Sequence, residues 1–336
     1  MGDDAIRLVY EINLPQLSLI NLPTLREDFL RAIPKLYPRH TGRIHLLVGG
    51  GTVIGRRTFR RPLAVNLALT RLRPSFMLGC GVEDPDFQGE GSFSGNGELH
   101  RWVSILRRFD HVTVRGPRSA ELLSDVGVEA TMVGDPALLL RKASSAITSE
   151  EMIGVNLGFG SDLWSHDQPH VVAEVALVVR ALVRDHARRI RFLVINEEDR
   201  CWTDQCVELA DLPKYAYEIV TATDPENYLT AVSSCSVLIG ERLHAVILAV
   251  AAEVPSVMLE YQPKCRDFMR SINEVSRSLR TDQFVAGNLL DVTLDLLDDL
   301  NAHAGRLRDT VAELREGLEI EVNRIREVTQ QQQNTW

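Results

Sequence analysis

The sequence predicts an α/β protein of two Rossmann-like domains facing a cleft, with a C-terminal helix packing across. Three observations predict it. Short apolar runs that end in glycine and pass into helical spacing recur in both halves of the chain, the pattern of buried parallel strands joined by crossover helices. Between the halves, Arg141 to Glu151 (RKASSAITSEE) is polar and marks a boundary. Beyond Arg270 the apolar residues keep helical spacing alone. The domains expected are 1–145, 150–285 and a helical segment 286–330.

Composition allows this and narrows the function. With 336 residues, 45% of them apolar and 25% charged, the chain has material for a packed core and two domains. A net charge of −9 argues against nucleic acid, which asks for a basic stripe. The local basic runs Arg56-Arg57 and Arg60-Arg61 leave a polymeric or lipid-linked acceptor open, although such runs read more often as solvated surface. The cysteines, Cys80, Cys201, Cys206, Cys235 and Cys265, are odd in number and scattered, which fits a reducing compartment. Cys201-x4-Cys206 is a poor match to zinc-ligand spacing, and no carboxylate cluster argues for a metal. No stretch joins a basic region to an apolar signal core, and no apolar run approaches ~20 residues. The reading is a cytosolic protein, or at most one peripheral to the inner face of a membrane.

In chain order, Met1-Gly2-Asp3-Asp4-Ala5-Ile6 reads as a helix N-terminus with acids in its first turn and no strand before it. Arg43 to Val48 is a buried strand, and Gly49-Gly50-Gly51-Thr52 follows at its carboxyl end, where α/β proteins place ligands. Close approach of a ligand and a tight turn packed on a neighbouring element explain three glycines equally well. Ser75 to Leu78 repeats the pattern and ends at Gly79-Cys80-Gly81. His111 to Val114 is the third strand; Arg115 and Gly116 then precede Pro117, well placed at the first helical position, with helical spacing from Ser119 through Val126. Gly134-Asp135-Pro136-Ala137 ends another short strand.

The second half restarts with a strand from Met152 to Leu157, a glycine-rich loop at Gly158-Phe159-Gly160-Ser161, a helix from Val171 to His186 and a strand from Ile190 to Ile195. Asp224-Pro225-Glu226 opens a short helix through Val232. At the C-terminus Leu307, Val311, Leu314, Leu318, Ile325 and Val328 fall near 3.5-residue spacing, interrupted by Glu321. The expectation there is a packing helix or a short helix pair, with the chain disordered from Gln330.

The chain is organised around Gly240 to Lys264. Ser236 to Gly240 is a buried strand that breaks at glycine into a helix with Leu243, Val246, Ile247, Val250 and Ala251 on one face. Pro255 to Leu259 is the next strand, ending at Glu260-Tyr261-Gln262-Pro263-Lys264, so both strand ends share one rim. A helix N-terminus offers unpaired N–H groups and a partial positive charge, and Arg242 and Lys264 add two full ones. Within one helix, residues 242 and 244 would lie about 200° apart, so the helix is expected to begin near Leu243 with Arg242 still in the turn.

These residues resemble the polysaccharide pyruvyl transferase family, in Arg242-Leu243-His244-Ala245 and in Tyr261-Gln262-Pro263-Lys264. Gly2-Asp3-Asp4-Ala5-Ile6, Gly49-Gly50-Gly51, Val114-Arg115-Gly116-Pro117-Arg118-Ser119, Gly127-Val128 and Gly134-Asp135-Pro136-Ala137 extend the likeness in order over residues 2 to 272. Family members usually carry a strand and a glycine-containing turn before the Gly-Asp motif; this chain either lacks that strand or begins at a late start codon. The resemblance implies the GT-B fold and transfer of a pyruvyl group from phosphoenolpyruvate to two hydroxyls of a sugar in a polysaccharide or glycolipid precursor, as a cyclic ketal. The donor carries about three negative charges and asks for several cations. Arg115, Arg242, Leu243, His244 and Lys264 are the implied donor-binding residues, with His244, Arg242 and Arg115 catalytic. A histidine near neutrality suits general acid or base work, although a structural histidine or a neutral phosphate ligand fits the same position. Gly49, Gly50, Gly51, Arg118, Asp135, Glu260 and Tyr261 are further cleft candidates, Asp135 and Glu260 for an acceptor hydroxyl or for orienting a cation, though a cap or turn role suits each. No cofactor and no metal is required.

Two other readings share the architecture, since fold does not fix reaction. One is a GT-B nucleotide-sugar glycosyltransferase. The other is a non-enzymatic α/β binding protein. The acceptor loops are expected within residues 52 to 110, above all in Gly89 to Gly97.

Overall fold

A computed structural model describes residues 1–17, 19, 45–69, 74–87, 97–141, 152–158, 164 and 167–333. The Gly89–Gly97 span, apart from Gly97, and most of the polar boundary and of the 158–161 loop lie outside them. The described residues form two compact units, each built on a parallel sheet.

The N-terminal unit takes residues from 6–87, 97–136 and 315 onward. Its strands are β1 (Leu46–Gly49), β2 (Thr52–Ile54), β3 (Ser75–Val82), β4 (His111–Val114) and β5 (Thr131–Met132), in the order β1-β3-β4-β5 with β2 beside the end of β3. All their pairings are parallel. Every residue of β3 is buried, as a central strand covered on both faces must be. Helix α1 (Gly2–Asn13) buries Ala5, Ile6, Val9 and Tyr10, one stripe at helical spacing. Helices α2 (Arg57–Leu69) and α3 (Glu98–Leu106) pack their apolar sides, Leu63, Leu67, Trp102 and Leu106 among them, into the core with Met77 and Val114. Helix α4 (Pro117–Asp125) begins at Pro117 with Gly116 as its cap, as the sequence predicts. Of the basic runs before and within α2, Arg57 and Arg61 are solvated, as expected, whereas Arg56 pairs with Glu83 and Arg60 with buried Glu98.

The C-terminal unit takes residues 1–5 and 137–314 among those described. Six parallel strands, β6 (Met152–Asn156), β7 (Arg189–Val194), β8 (Tyr217–Thr221), β9 (Val237–Gly240), β10 (Ser256–Glu260) and β11 (Ser278–Arg280), run in the order β11-β10-β9-β6-β7-β8. From β6 the chain winds outward through β7 to β8, then returns to β9 on the other side and winds out to β11. The order therefore reverses between β6 and β9, which makes their carboxyl ends a topological switch point. Helices α5 (Gln168–Arg184), α6 (Asp199–Ala210), α7 (Pro225–Val232), α8 (Leu243–Ala251), α9 (Pro263–Ser271) and α10 (Ala286–Asp298) complete the wrapping. α8 is apolar all round and almost wholly buried, whereas α5 buries one stripe through Val171, Val175, Val179 and Leu182.

Two expectations need correction. Beyond Arg270 the chain is not purely helical, because β11 adds a sixth strand in register with β10 (Met258 opposite Ser278). The helical segment expected at 286–330 holds α10 and α11 (Leu300–Gln333), and α11 continues through Gln330 to Gln333, where disorder is expected. Glu321, which breaks the apolar spacing as expected, is held by Arg324 one turn on at 2.7 Å. No helix among the described residues is long and apolar enough to cross a membrane.

Candidate active site

At the switch point the end of β9 turns through Glu241 and Arg242 into α8. Arg242 is the cap residue, in extended conformation (φ −71, ψ 126), and the helix begins at Leu243, so the geometric objection to placing residues 242 and 244 in one helix is met. Asn156, at the end of β6, ties three strands together there. Its Nδ2 donates to Leu193 O at 2.8 Å and its Oδ1 accepts from Arg242 N at 3.1 Å. The buried Glu241 carboxylate accepts from Gly158 N at 3.0 Å and from Gln168 Nε2 at 2.8 Å. Buried polar groups demand such partners, and here they stiffen the rim.

The Arg242 guanidinium meets two carboxylates. Nε donates to Asp199 Oδ1 at 2.7 Å and Nη2 to Glu198 Oε1 at 2.5 Å. Asn196, oriented with its amide oxygen toward the guanidinium, accepts from Nη1 at 3.1 Å. Asp199 is closed to solvent, and its other oxygen accepts from Ile195 N and Asn196 N at 3.3 and 3.2 Å. Burial pushes the Asp199 carboxyl up, with Arg242 opposing. Burial alone would lower Arg242, yet bonds to Asp199 and Glu198 leave it raised, so it is a cation at any physiological pH.

His244 occupies the second position of α8, half-buried, and its ring lies against Gly2: a methyl group on Gly2 would come 2.4 Å from Nδ1. The start of the Gly2-Asp3-Asp4 motif thus belongs to the same unit as the histidine. Lys264 sits at the second position of α9, its Nζ 4.8 Å from the centroid of the Tyr261 ring, a cation–π contact. Because β9 and β10 are parallel neighbours (Gly240 opposite Met258), α8 and α9 both start from one rim, each with a cation at its N-terminus. Glu260 has a structural duty: Oε2 accepts from Arg266 Nε at 3.0 Å and Ser278 Oγ at 2.9 Å, which joins β10 to α9 and β11. Burial pushes its carboxyl up, and Arg266 opposes.

The N-terminal unit holds the other candidates. Arg115, at the end of β4, is buried, with Nη1 3.6 Å from the buried Asp135 carboxylate and Nη2 donating to Thr52 Oγ1 at 3.3 Å. Its Nε and the Tyr10 hydroxyl have no hydrogen-bond partner among the described residues. The surroundings are dry: burial pushes the Cys80 thiol up to about 12 and the Tyr10 phenol well above its ordinary value. Gly49 and Gly50 face the chain's own first helix. A Cβ on Gly49 would fall 1.6 Å from Tyr10 Oη, and one on Gly50, at φ +58, 2.0 Å from Ile6 Cδ1. Close approach is therefore the reason for these glycines, but α1 makes it. Gly51, at φ +65, completes the turn. Arg118 pairs with Asp84 through Nε at 3.0 Å, and with Asp86 and Glu121.

Arg242, Leu243, His244, Tyr261, Lys264 and Glu260 thus belong to one unit, and Gly49 to Gly51, Arg115, Arg118 and Asp135 to the other. Sequence reasoning missed Asp199, Glu198, Asn196, Asn156 and Tyr10. A signal existed for the first three: Asn196-Glu197-Glu198-Asp199 stands directly after an apolar strand, on the carboxyl rim.

Comparison with known proteins adds to this geometry. The family model described as polysaccharide pyruvyl transferase matches residues 2–263. Among solved structures the chain is similar to the Staphylococcus aureus MnaA–UDP co-structure, with TM-score 0.64 and 11% identity over 97% of this chain and 92% of that one. It is similar to UDP-GlcNAc 2-epimerase from Neisseria meningitidis bound to UDP-GlcNAc, with TM-score 0.60 and 9% identity over 98% of each chain. A putative UDP-N-acetylglucosamine 2-epimerase from Listeria monocytogenes gives TM-score 0.59 and 14% identity over 92% of this chain and 80% of that one. At these identities the likeness is one of fold, and the fold is GT-B. Comparison with curated protein sequences returns no match.

Proposed function

The chain belongs to the polysaccharide pyruvyl transferase family, and from that premise we propose that it moves the pyruvyl group of phosphoenolpyruvate onto two hydroxyls of a sugar in a polysaccharide or glycolipid precursor. The observation that carries the reading is the pair of cation-bearing helix N-termini on one rim of the C-terminal sheet, Arg242 with His244 at the switch point and Lys264 at the next strand end. Such a rim suits a small, highly charged anion, because helix N-termini offer backbone N–H groups and a partial positive charge, and Arg242 and Lys264 are cationic side chains beside them.

In the proposed reaction the donor's vinyl carbon takes a proton, a sugar oxygen adds to the neighbouring carbon, the C–O bond to phosphate breaks, and the second sugar oxygen closes the ketal. Two hydroxyl protons are lost; one balances the proton gained by carbon and the other leaves with phosphate. His244 is the group proposed to pass a proton, since imidazole exchanges protons near neutral pH. Arg242 and Lys264 hold the donor's anionic groups, and Leu243 contributes its backbone N–H at the first helical position. Arg115 supports the N-terminal unit's strand ends through Asp135.

The test is incubation with phosphoenolpyruvate and a panel of glycans, read by mass for the pyruvyl increment and by phosphate release that needs both substrates. Transfer of a sugar from a nucleotide sugar to the glycan, with the nucleoside diphosphate as leaving group, or no product with phosphoenolpyruvate and any glycan, overturns the reading.

A further inference from the structure

We infer that the two carboxylates on Arg242 act in opposite senses, Asp199 as a positioning residue that anchors the guanidinium at the switch point and Glu198 as an exchangeable stand-in for an anionic group of the donor. The inference rests on the donor site proposed above and goes further into it.

Asp199 is held on every side. Arg242 Nε lies 2.7 Å from one oxygen, the backbone N–H groups of Ile195 and Asn196 after β7 bond the other, and the Cα of Gly158 lies against the carboxylate. A methyl on Gly158 would stand 2.0 Å from Asp199 Oδ1, so only glycine fits beside the carboxylate. Removing one partner of a buried pair leaves an uncompensated charge, which is why this contact persists.

Glu198 differs in the property that matters. Its side chain is 71% exposed while Arg242 is 14% exposed and Asp199 0%. A solvent-facing ion pair is worth little and is screened by salt, so an arriving carboxylate or phosphate oxygen replaces it at small cost and keeps the geometry of the guanidinium fork. The inner carboxylate sets the direction of the fork, and the outer one occupies the place a ligand takes.

Opposite signs make the test sharp. Phosphoenolpyruvate and inorganic phosphate are titrated by calorimetry into folded wild type, Asp199→Asn, Glu198→Gln and each of these combined with Arg242→Gln. Glu198→Gln should tighten phosphoenolpyruvate binding by about two- to fivefold, and Asp199→Asn should weaken it by about tenfold or more. Both effects should vanish in the Arg242→Gln background, which a merely structural role would not produce. In parallel, the Arg242 Nε–H resonance, identified by its loss in Arg242→Gln, should be protected from exchange in wild type and exposed in Asp199→Asn.

Effects of the same sign, or effects that persist without Arg242, overturn the inference. Intact donor binding with unchanged Nε–H protection in Asp199→Asn overturns the anchor and leaves the donor reading standing. Failure of wild type to bind either probe overturns the donor reading and the exchange at Glu198, while the resonance decides the anchor by itself. Where Asp199→Asn does not fold, absent protection in wild type or weaker binding in Glu198→Gln overturns the inference.

Discussion

Arg115 and Asp135 form an ion pair, 3.6 Å apart, with both side chains all but closed to solvent. The contact ties the end of β4 to the segment that follows β5. Arg115→Ala should destabilise the protein by about 3–5 kcal/mol, because it takes the cation out of a buried ion pair. Urea unfolding measures it, and a midpoint equal to wild type would rule out the pair as a structural element.

Tyr10 and Gly49 make a second relationship that a substitution can probe. Gly49→Ala drives a methyl to within 1.6 Å of Tyr10 Oη and 2.4 Å of its Cζ, so it should cost about 1–3 kcal/mol as an overpacked contact. Tyr10→Phe removes a buried hydroxyl that has no partner among the described residues and should be neutral or stabilising. Combined, the two should cost less than the sum of the singles, since the nearest clashing atom is gone. Strict additivity in thermal melts would contradict the contact.

Glu260 gives a pH dependence whose sign follows from its shift. Burial holds its carboxyl above the ordinary 4.5, so the folded state binds that proton more tightly than the unfolded one. Its contribution to stability is then largest below the unfolded pKa and declines as pH rises from there through the folded value. Asp199, raised from 3.8 for the same first cause, adds a decline of its own. Glu260→Gln, which lacks the titration, should flatten the fall in melting temperature as pH rises above the unfolded value of 4.5, relative to wild type. Parallel curves for the two proteins would refute the assignment.

His244 separates binding from chemistry. On the proposed mechanism His244→Gln should lower kcat by about 10²–10⁴ through loss of proton transfer, while phosphoenolpyruvate affinity changes by no more than a few-fold because Arg242 and Lys264 stay in place. Equal losses in kcat and in donor affinity would make His244 a ligand of the donor and not an acid or base.

Much of the site was legible because it is local. The glycine at 240, the helical spacing after it and the advance of about 100° per residue sufficed to set Arg242 in the turn and Leu243 at the helix start. Pro117 and Gly116 likewise announced the start of α4. The triple glycine was legible as a close approach, but its occupant was not: Tyr10 and Ile6 arrive from a helix some forty positions earlier. β11 escaped notice because three residues with one large apolar side chain, Ser278-Leu279-Arg280, carry no period. They become a strand by pairing with β10, a hydrogen-bonding decision made across the sheet.

By itself the sequence determined the alternation of strand, turn and helix, the cations that follow β9 and β10, and membership of a family, since each is written in neighbouring residues or in their order. Only the tertiary structure decided what those cations face. Asp199 reaches Arg242 from forty-three positions away, and Asp135 reaches Arg115 from another strand end. The physical reason is that a charge's partner is chosen by distance and burial in space, and neither is encoded in the spacing of residues along the chain.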